Sequence, residues 1–178
     1  MNLSQEYAAA MSYNTYVKQL KDYQSLHQLH YNKFEIPEKY ISRIGQLSEI
    51  NILVITEPWC SDSLALLPII RKLAEIHGQW EIKILLRDKN PVLMQKFLTN
   101  GVRGIPVFLF LNKDGEYLFS WGPRPIAATK IYEAHLDSIK TGLVEKQRVI
   151  KKIRAYYAKD RGQTTLRELF DVFSQKKL

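Results

Sequence analysis

The chain contains little cysteine and no long hydrophobic segment. One cysteine, Cys60, stands among 178 residues, so no disulfide bond can form within the chain. No stretch reaches the roughly 18 consecutive apolar residues that a membrane-spanning helix needs. The first residues have neither the basic start nor the apolar stretch of a signal peptide. We therefore expect a cytoplasmic protein, not associated with a membrane, whose fold depends on its hydrophobic core.

Motifs for nucleotide and metal binding are also missing. The chain has no G-x-G-x-x-G pattern and no Walker loop, which leaves nucleotide binding without support. His27 and His30 are three residues apart on a predicted helix, a spacing that can chelate a metal ion. No further Cys, His or acidic cluster lies near them in the sequence, so a structural or surface role is favoured. The sequence predicts neither a cofactor nor a metal site.

The composition is that of an ordinary globular protein, but the charge is unevenly distributed. Hydrophobic residues make up 46% and charged residues 25% of the chain, which excludes disordered and low-complexity classes. Residues 1–139 hold 15 basic and 14 acidic side chains, whereas residues 140–178 hold 11 and 4, and the net charge is +8. The basic segment 140–178 can attract nucleic acid or another anionic partner weakly, although such a surface is more often simply solvated.

Hydrophobic periodicity predicts an α/β protein. Short apolar runs indicate four strands, and helical spacing indicates two helices before them, helices between and after them, and further helices to the end. The strands are expected at 50–56, 80–87, 106–111 and 116–121, the leading helices at 12–31 and from Pro37, and the following helices up to Gly78, over 88–100, over about 127–143 and beyond 143.

The order β-α-β-α-β-β-α predicts a mixed four-stranded sheet between helices. A helix joins the first two strands, which should therefore be parallel. The turn at 112–115 is too tight for a crossover, so the last two strands should be antiparallel, with Gly115 at a positive φ. We expect a single domain over residues 1–178, with its core at about 50–143 and helical extensions at 1–49 and 144–178.

The informative constellation for chemistry is Trp59-Cys60-Ser61-Asp62-Ser63, at the predicted turn from the first strand into a helix. Unpaired N–H groups and the positive end of the helix dipole favour a thiolate there. The hydroxyl of Ser63 can point toward the sulfur, whereas the carboxylate of Asp62 disfavours a second negative charge. The sequence alone does not determine whether these opposing effects raise or lower the pKa of Cys60. A reactive Cys60 should be at least partly accessible.

Here the chain resembles the thioredoxin superfamily, over about residues 50–143. Trp59-Cys60-x-x-Ser63 corresponds to the W-C-x-x-C motif, with serine in place of the second cysteine. Pro68 corresponds to the proline that kinks the active-site helix, and Gly104-Ile105-Pro106 corresponds to the cis-proline loop. The pattern W-C-x-D-[C/S], with Gly122-Pro123-Arg124-Pro125 and residues 157–162 further on, is similar to a bacterial thioredoxin-like family whose motif usually ends in cysteine.

The resemblance implies a thioredoxin-like fold and a role for each matching residue. Cys60, with Ser63, would be catalytic, and a cis Pro106 would lie beside the sulfur. The main chain of Ile105 would pair with an extended substrate, and Trp59 would form an apolar rim next to Cys60. Of the loop arginines, Arg103 and Arg124 could each stabilise the thiolate or a glutathione carboxylate, or be solvated.

Two departures from the family pattern limit the chemistry. Ser63 cannot release a mixed disulfide from within the protein. The buried aspartate that the family often has six residues before the cysteine is Val54 here. The dithiol reductase cycle is therefore excluded. The sequence favours a monothiol redox protein in which Cys60 forms mixed disulfides with protein thiols or glutathione. The alternatives are a catalytically inactive protein- or peptide-binding module and, less favoured, nucleic-acid binding through residues 140–178.

Overall fold

The computed structural model describes all residues from Met1 to Leu178, and its centre is a mixed five-stranded sheet. The strands are β1 (Met11–Ser12), β2 (Asn51–Thr56), β3 (Glu81–Leu86), β4 (Val107–Leu111) and β5 (Tyr117–Trp121), in the order β1-β3-β2-β4-β5. As predicted, β2 and β3 are parallel and β4 and β5 are antiparallel. The turn between β4 and β5 has Gly115 at φ +79°.

The prediction of four strands is wrong by one. The additional strand, β1, pairs antiparallel with β3, with Met11 opposite Ile84 and Ser12 opposite Lys83. A strand of two residues is too short to show the two-residue alternation from which strands are recognised in a sequence. Its position is determined by the partner strand, which is distant in the chain.

Ten helices surround the sheet. They are α1 (Ser4–Ala9), α2 (Tyr13–Gln19), α3 (Gln24–Lys33), α4 (Glu38–Ile44), α5 (Ser61–His77), α6 (Pro91–Gln95), α7 (Ile126–Glu133), α8 (Leu136–Lys140), α9 (Lys146–Asp160) and α10 (Gln163–Lys176). The helix expected at 12–31 is interrupted by a 3₁₀ turn at Lys21–Tyr23, where Lys21 has a positive φ of 49°. The helix expected at 127–143 is interrupted between α7 and α8. No helix has the length and apolar character needed to cross a membrane.

The sheet separates two hydrophobic cores, and successive residues of its central strands alternate between them. Ile52 and Val54 of β2 face the larger core, while Leu53 and Ile55 face the smaller one. The larger core contains residues from α5 and from both C-terminal helices, including Val149, Ile153, Leu166, Leu169, Phe170 and Phe173. The smaller core is covered by α1 and α6 and includes Cys60. Both extensions therefore complete the packing of the sheet.

The N-terminal residues form main-chain hydrogen bonds with the turn between β4 and β5. The N–H of Leu3 donates to the carbonyl of Gly115 at 2.8 Å, and the main-chain N–H of Tyr117 donates to the carbonyl of Met1 at 2.9 Å. A Cβ atom at Gly115 would lie 2.7 Å from the Cβ of Ser4, so the close approach of the two segments requires glycine there.

Candidate functional site

Cys60 lies at the N-cap of α5, directly after the loop that follows β2. Its thiol donates a hydrogen bond to the carbonyl oxygen of Ile105, with 3.5 Å between sulfur and oxygen. The Ile105–Pro106 peptide bond is cis and precedes β4. Because β2 and β4 are neighbours in the sheet, their loops bring Cys60 and Ile105 together although the two residues are 45 positions apart.

The expectation of a partly accessible sulfur is wrong, because Cys60 is 6% exposed and packs in the smaller core. Burial raises the pKa of the Cys60 thiol above its ordinary value, and the negative charge of Asp62 raises it further. The N–H groups of Asp62 and Ser63 and the hydroxyl of Ser63 act in the opposite direction, but they do not offset the desolvation. The thiol, not the thiolate, is therefore the resting form at neutral pH.

Ser63, three residues after Cys60, is fully buried on the first turn of α5. Its hydroxyl forms a hydrogen bond with the hydroxyl of Thr56, the last residue of β2. This bond ties the start of α5 to the end of the strand that precedes it. Ser63 therefore has a structural partner in addition to its contact with the sulfur.

A buried ion pair lies beside the cysteine. Nη2 of Arg124 is 2.8 Å from Oδ2 of Asp62, and the hydroxyl of Tyr157 donates to Oδ1 of the same carboxylate at 2.9 Å. Burial raises the pKa of Asp62, while Arg124 and Tyr157 lower it. The guanidinium of Arg124 also stacks over the ring of Tyr132, 4.7 Å from its centroid. The guanidinium of Arg124 is thus already bound to Asp62, and a glutathione carboxylate would have to compete with Asp62 for it.

The loop that carries Arg124 passes close to the cis-proline loop. Gly122 has φ +122°, and a Cβ atom there would lie 2.3 Å from the carbonyl oxygen of Pro106. The Gly122–Pro123 peptide bond is also cis. Glycine at this position lets the segment turn against Pro106 and bring Arg124 under the start of α5.

The surface next to Cys60 is formed by Trp59, which is 55% exposed. The guanidinium of Arg87 lies 5.1 Å from a ring centroid of Trp59 and reaches the carbonyl of Arg103 at 3.5 Å. Arg103 is exposed and belongs to no salt bridge. The N–H of Ile105 has no hydrogen-bond partner in the main chain. The residue before Cys60 therefore carries an exposed aromatic ring, and the residue whose carbonyl accepts from the Cys60 thiol has an N–H without a main-chain partner.

The other residues considered in the sequence analysis form no hydrogen bond or ion pair with Cys60. Val54 is fully buried in β2, and Pro68 is inside α5. Nε2 of His27 is 2.6 Å from the hydroxyl of Tyr13, and no group of three or more His, Cys, Asp or Glu side chains is arranged to hold a metal ion. The basic side chains of residues 146–159 are mostly exposed and form no salt bridge with a carboxylate.

Sequence reasoning missed the roles of Arg87 and Tyr157. Tyr157 is 5% exposed and lies on the buried, largely apolar face of α9 together with Val149 and Ile153. Its hydroxyl partner is 95 residues away in the chain, so no local pattern indicates the contact. Arg124 was assigned to a loop near Cys60, and the structure places it there, paired with Asp62.

Comparison with solved structures and families agrees with this architecture. PA1234 of Pseudomonas aeruginosa, a protein of unknown function, is similar with a TM-score of 0.66 and 17% identity, over 87% of this chain and 96% of that one. An HIV epitope-scaffold, 4E10, is similar with a TM-score of 0.64, 17% identity and the same shares. At such identities the likeness shows the fold. A search of curated protein sequences gave no match. A family profile described as Thioredoxin matches residues 10–140, and the chain therefore belongs to that thioredoxin family, with a thioredoxin-like fold extended by helices.

Proposed function

We propose that this protein is a monothiol thioredoxin-like protein that binds an extended segment of a partner and exchanges disulfides through Cys60. The observation that carries the proposal is the contact between the Cys60 sulfur and the carbonyl of Ile105. A chain that adds to the unpaired N–H of Ile105 in β fashion is brought against that sulfur. The exposed ring of Trp59 supplies apolar contact area for the same segment.

The exchange step needs no external oxidant. The Cys60 thiol loses its proton to solvent, and the thiolate attacks one sulfur of a disulfide in the partner. The bond between the partner's two sulfurs breaks, a bond between Cys60 and the partner forms, and the second sulfur leaves as a thiolate that takes up a proton. The thiolate of a glutathione-type thiol then attacks the partner's sulfur in the mixed disulfide, so that a disulfide between the partner and the glutathione-type thiol forms, the bond to Cys60 breaks, and Cys60 leaves as a thiolate that takes up a proton. Ser63 has no thiol with which to carry out this step from within the protein.

The raised pKa of Cys60 has a kinetic consequence. The population of thiolate is small at neutral pH, so attack is slow until the pH approaches the pKa. Exchange is then most useful toward a disulfide that is held in the site by binding, since proximity raises the effective concentration of the reacting group.

The test is formation of a mixed disulfide. The folded protein is incubated with glutathione disulfide and with a short disulfide-bearing peptide over a range of pH, and the adduct is measured by mass spectrometry. We expect one adduct, on Cys60, with a rate that rises with pH, and none in Cys60→Ser. Trp59→Ala should slow the reaction with the peptide more than with glutathione disulfide, whereas Val92→Ala, an exposed apolar residue on α6, serves as the matched control. Absence of an adduct at alkaline pH in the folded protein would overturn the proposal.

The second candidate, peptide binding without chemistry, is favoured by a different observation. Cys60 is buried, its thiol is used in a hydrogen bond to Ile105, and its pKa is raised. An inert cysteine in a protein core has these properties. Under this candidate Cys60→Ser binds extended peptides as tightly as the wild type and no adduct forms. A large loss of affinity for disulfide-bearing peptides in Cys60→Ser, with unchanged affinity for reduced ones, supports the monothiol exchange instead.

A further inference from the structure

The C-terminal helix α9 touches the site through a single polar group. Tyr157 is 5% exposed, and its hydroxyl donates to Asp62 at 2.9 Å. Asp62 is 4% exposed and lies two residues after Cys60 on the first turn of α5. Tyr157 also lies outside residues 10–140, the part of the chain that matches the thioredoxin family.

The carboxylate of Asp62 is held at both oxygens. Arg124 binds Oδ2 from the loop after β5, and Tyr157 binds Oδ1 from α9. A hydrogen bond to a buried carboxylate stabilises and disperses its charge, and that effect is larger in a site that excludes water. Three segments that are far apart in the sequence thus converge on one acidic group next to the cysteine.

We propose that Tyr157 is a positioning residue for Cys60 that acts through Asp62. Helix α9 then contributes to the electrostatic environment of Cys60 in addition to packing against the larger core. The hydroxyl holds the carboxylate toward Arg124 and reduces the negative field at the sulfur. Removal of Asp62 removes that field altogether. The inference deepens the proposed function, since it concerns the same sulfur, but it makes no use of a partner or of exchange.

Few other ionisable groups face this cluster. Tyr16 reaches the loop before α5 from α2 and donates its hydroxyl to the carbonyl of Glu57 at 3.1 Å. The Glu57 side chain accepts from the N–H of Asp88, and Tyr132 on α7 lies under Arg124. None of these groups forms a hydrogen bond or an ion pair with the carboxylate of Asp62. A change at Tyr157 is therefore expected to reach Cys60 through Asp62.

The test is the pH profile of Cys60 alkylation by iodoacetamide in the folded protein. We expect Asp62→Asn to move the midpoint to lower pH and to accelerate alkylation at neutral pH at least about threefold, because a buried negative charge is removed. Tyr157→Phe keeps the ring and loses the hydroxyl, so the carboxylate charge is less dispersed. Its midpoint should move to higher pH, with alkylation slowed roughly twofold below the midpoint.

The double variant separates positioning from packing. In the Asp62→Asn background, Tyr157→Phe should cause no further shift, because the carboxylate through which it acts is gone. The matched control is Tyr156→Phe, the neighbouring residue, whose buried hydroxyl has no partner, and it should leave the profile unchanged.

Two outcomes would overturn the inference. One is an unshifted midpoint in folded Tyr157→Phe, and the other is an equal shift with and without Asp62. Neither outcome affects the proposed function, which is judged by adducts with glutathione disulfide. If those adducts never form and the alkylation profiles still shift as described, the inference about Tyr157 stands and the exchange proposal fails.

Discussion

Arg124 and Asp62 form an ion pair of 2.8 Å in which the carboxylate side chain is 5% exposed and the arginine side chain 20% exposed. The pair joins the loop after β5 to the first turn of α5. Nε of Arg124 is buried without a hydrogen-bond partner, so the guanidinium is not saturated by the protein. Removing one member of such a pair leaves a charge in a region where water does not compensate it.

Arg124→Gln should therefore destabilise the protein by about 3 kcal/mol at neutral pH, because the Asp62 carboxylate remains buried without a positive charge beside it and keeps only the hydrogen bond from Tyr157. The loss should shrink as the pH falls, since the variant's Asp62 carboxyl takes up a proton and no longer carries a buried charge. Urea unfolding at several pH values measures both effects. Arg124→Gln combined with Asp62→Asn should recover most of the stability, and a double variant no more stable than Arg124→Gln would contradict this account.

Gly122→Ala should destabilise the protein much more than Gly142→Ala. Both glycines have a positive φ, but a Cβ at Gly122 would lie 2.3 Å from the carbonyl oxygen of Pro106, whereas nothing lies within 4 Å of one at Gly142. We expect about 1 kcal/mol for the backbone conformation alone at Gly142 and roughly 3 kcal/mol or more at Gly122. Thermal unfolding of the two variants compares them, and equal losses would show that the contact with Pro106 relaxes freely.

Ser63→Cys should form an intramolecular disulfide with Cys60. Cys60 is the N-cap and Ser63 the third residue of α5, one helical turn later. We therefore expect their Cα atoms to lie near the ~5.5 Å separation that a disulfide prefers. The variant should also gain partial reductase activity on an insulin-type substrate, since the new thiol attacks the mixed disulfide from within. Val54 supplies no proton acceptor, and the hydrogen bond between Ser63 and Thr56 is altered. Equilibration with glutathione buffers of different ratios of reduced to oxidised glutathione measures the redox equilibrium of the two cysteines. A pair that stays reduced at every ratio would refute the expected geometry.

Acid should destabilise the protein through His27. Burial lowers the pKa of His27 from 6.5 to about 4. Between these two pKa values the unfolded chain therefore binds more protons than the folded chain. The free energy of unfolding is greatest above the pKa that His27 has in the unfolded chain, and it decreases as the pH falls toward the pKa that His27 has in the folded chain. We expect a loss of about 2 kcal/mol on going from neutral pH to about pH 5.

His27→Gln removes this titration, and its stability should depend less on pH than that of the wild type. Burial lowers the pKa of His30 as well, so His30 also makes the protein less stable as the pH falls. Part of the dependence of the free energy of unfolding on pH should therefore remain in the variant. Denaturant unfolding of both proteins over the same pH range provides the comparison. An identical slope in the two proteins would show that His27 is already solvated in the folded state.

Removal of residues 144–178 should prevent folding. The segment contributes fully buried side chains to the larger core, among them Val149, Leu166 and Phe173. Exposing such side chains loses about 1.5–3 kcal/mol for each, which together exceeds the stability of an ordinary domain. Circular dichroism and the cooperativity of unfolding test the fragment. A fragment that unfolds cooperatively would show that the thioredoxin-like core is an independent unit.

The sheet could be predicted from the sequence because its central strands carry strong local signals. β2 and β4 are continuous apolar runs bounded by turn residues, and the hairpin at Gly115 has the residues that its turn requires. β1 could not be predicted, because two residues have no period. The breaks at Lys21–Tyr23 and between α7 and α8 were also missed, since the apolar spacing continues across them while the backbone does not.

By itself the sequence determined the fold class, the position of Cys60 at the start of a helix, and the loss of a resolving thiol at Ser63, because each follows from residue type and local spacing. The burial of Cys60 and the network of Asp62, Arg124 and Tyr157 were decided by tertiary structure alone. Solvent exclusion and charge pairing depend on segments up to 95 residues apart that meet only when the sheet is assembled and α9 packs against α5. The protonation of the thiol is set by that assembly, since desolvation is a property of the folded surroundings and not of the motif.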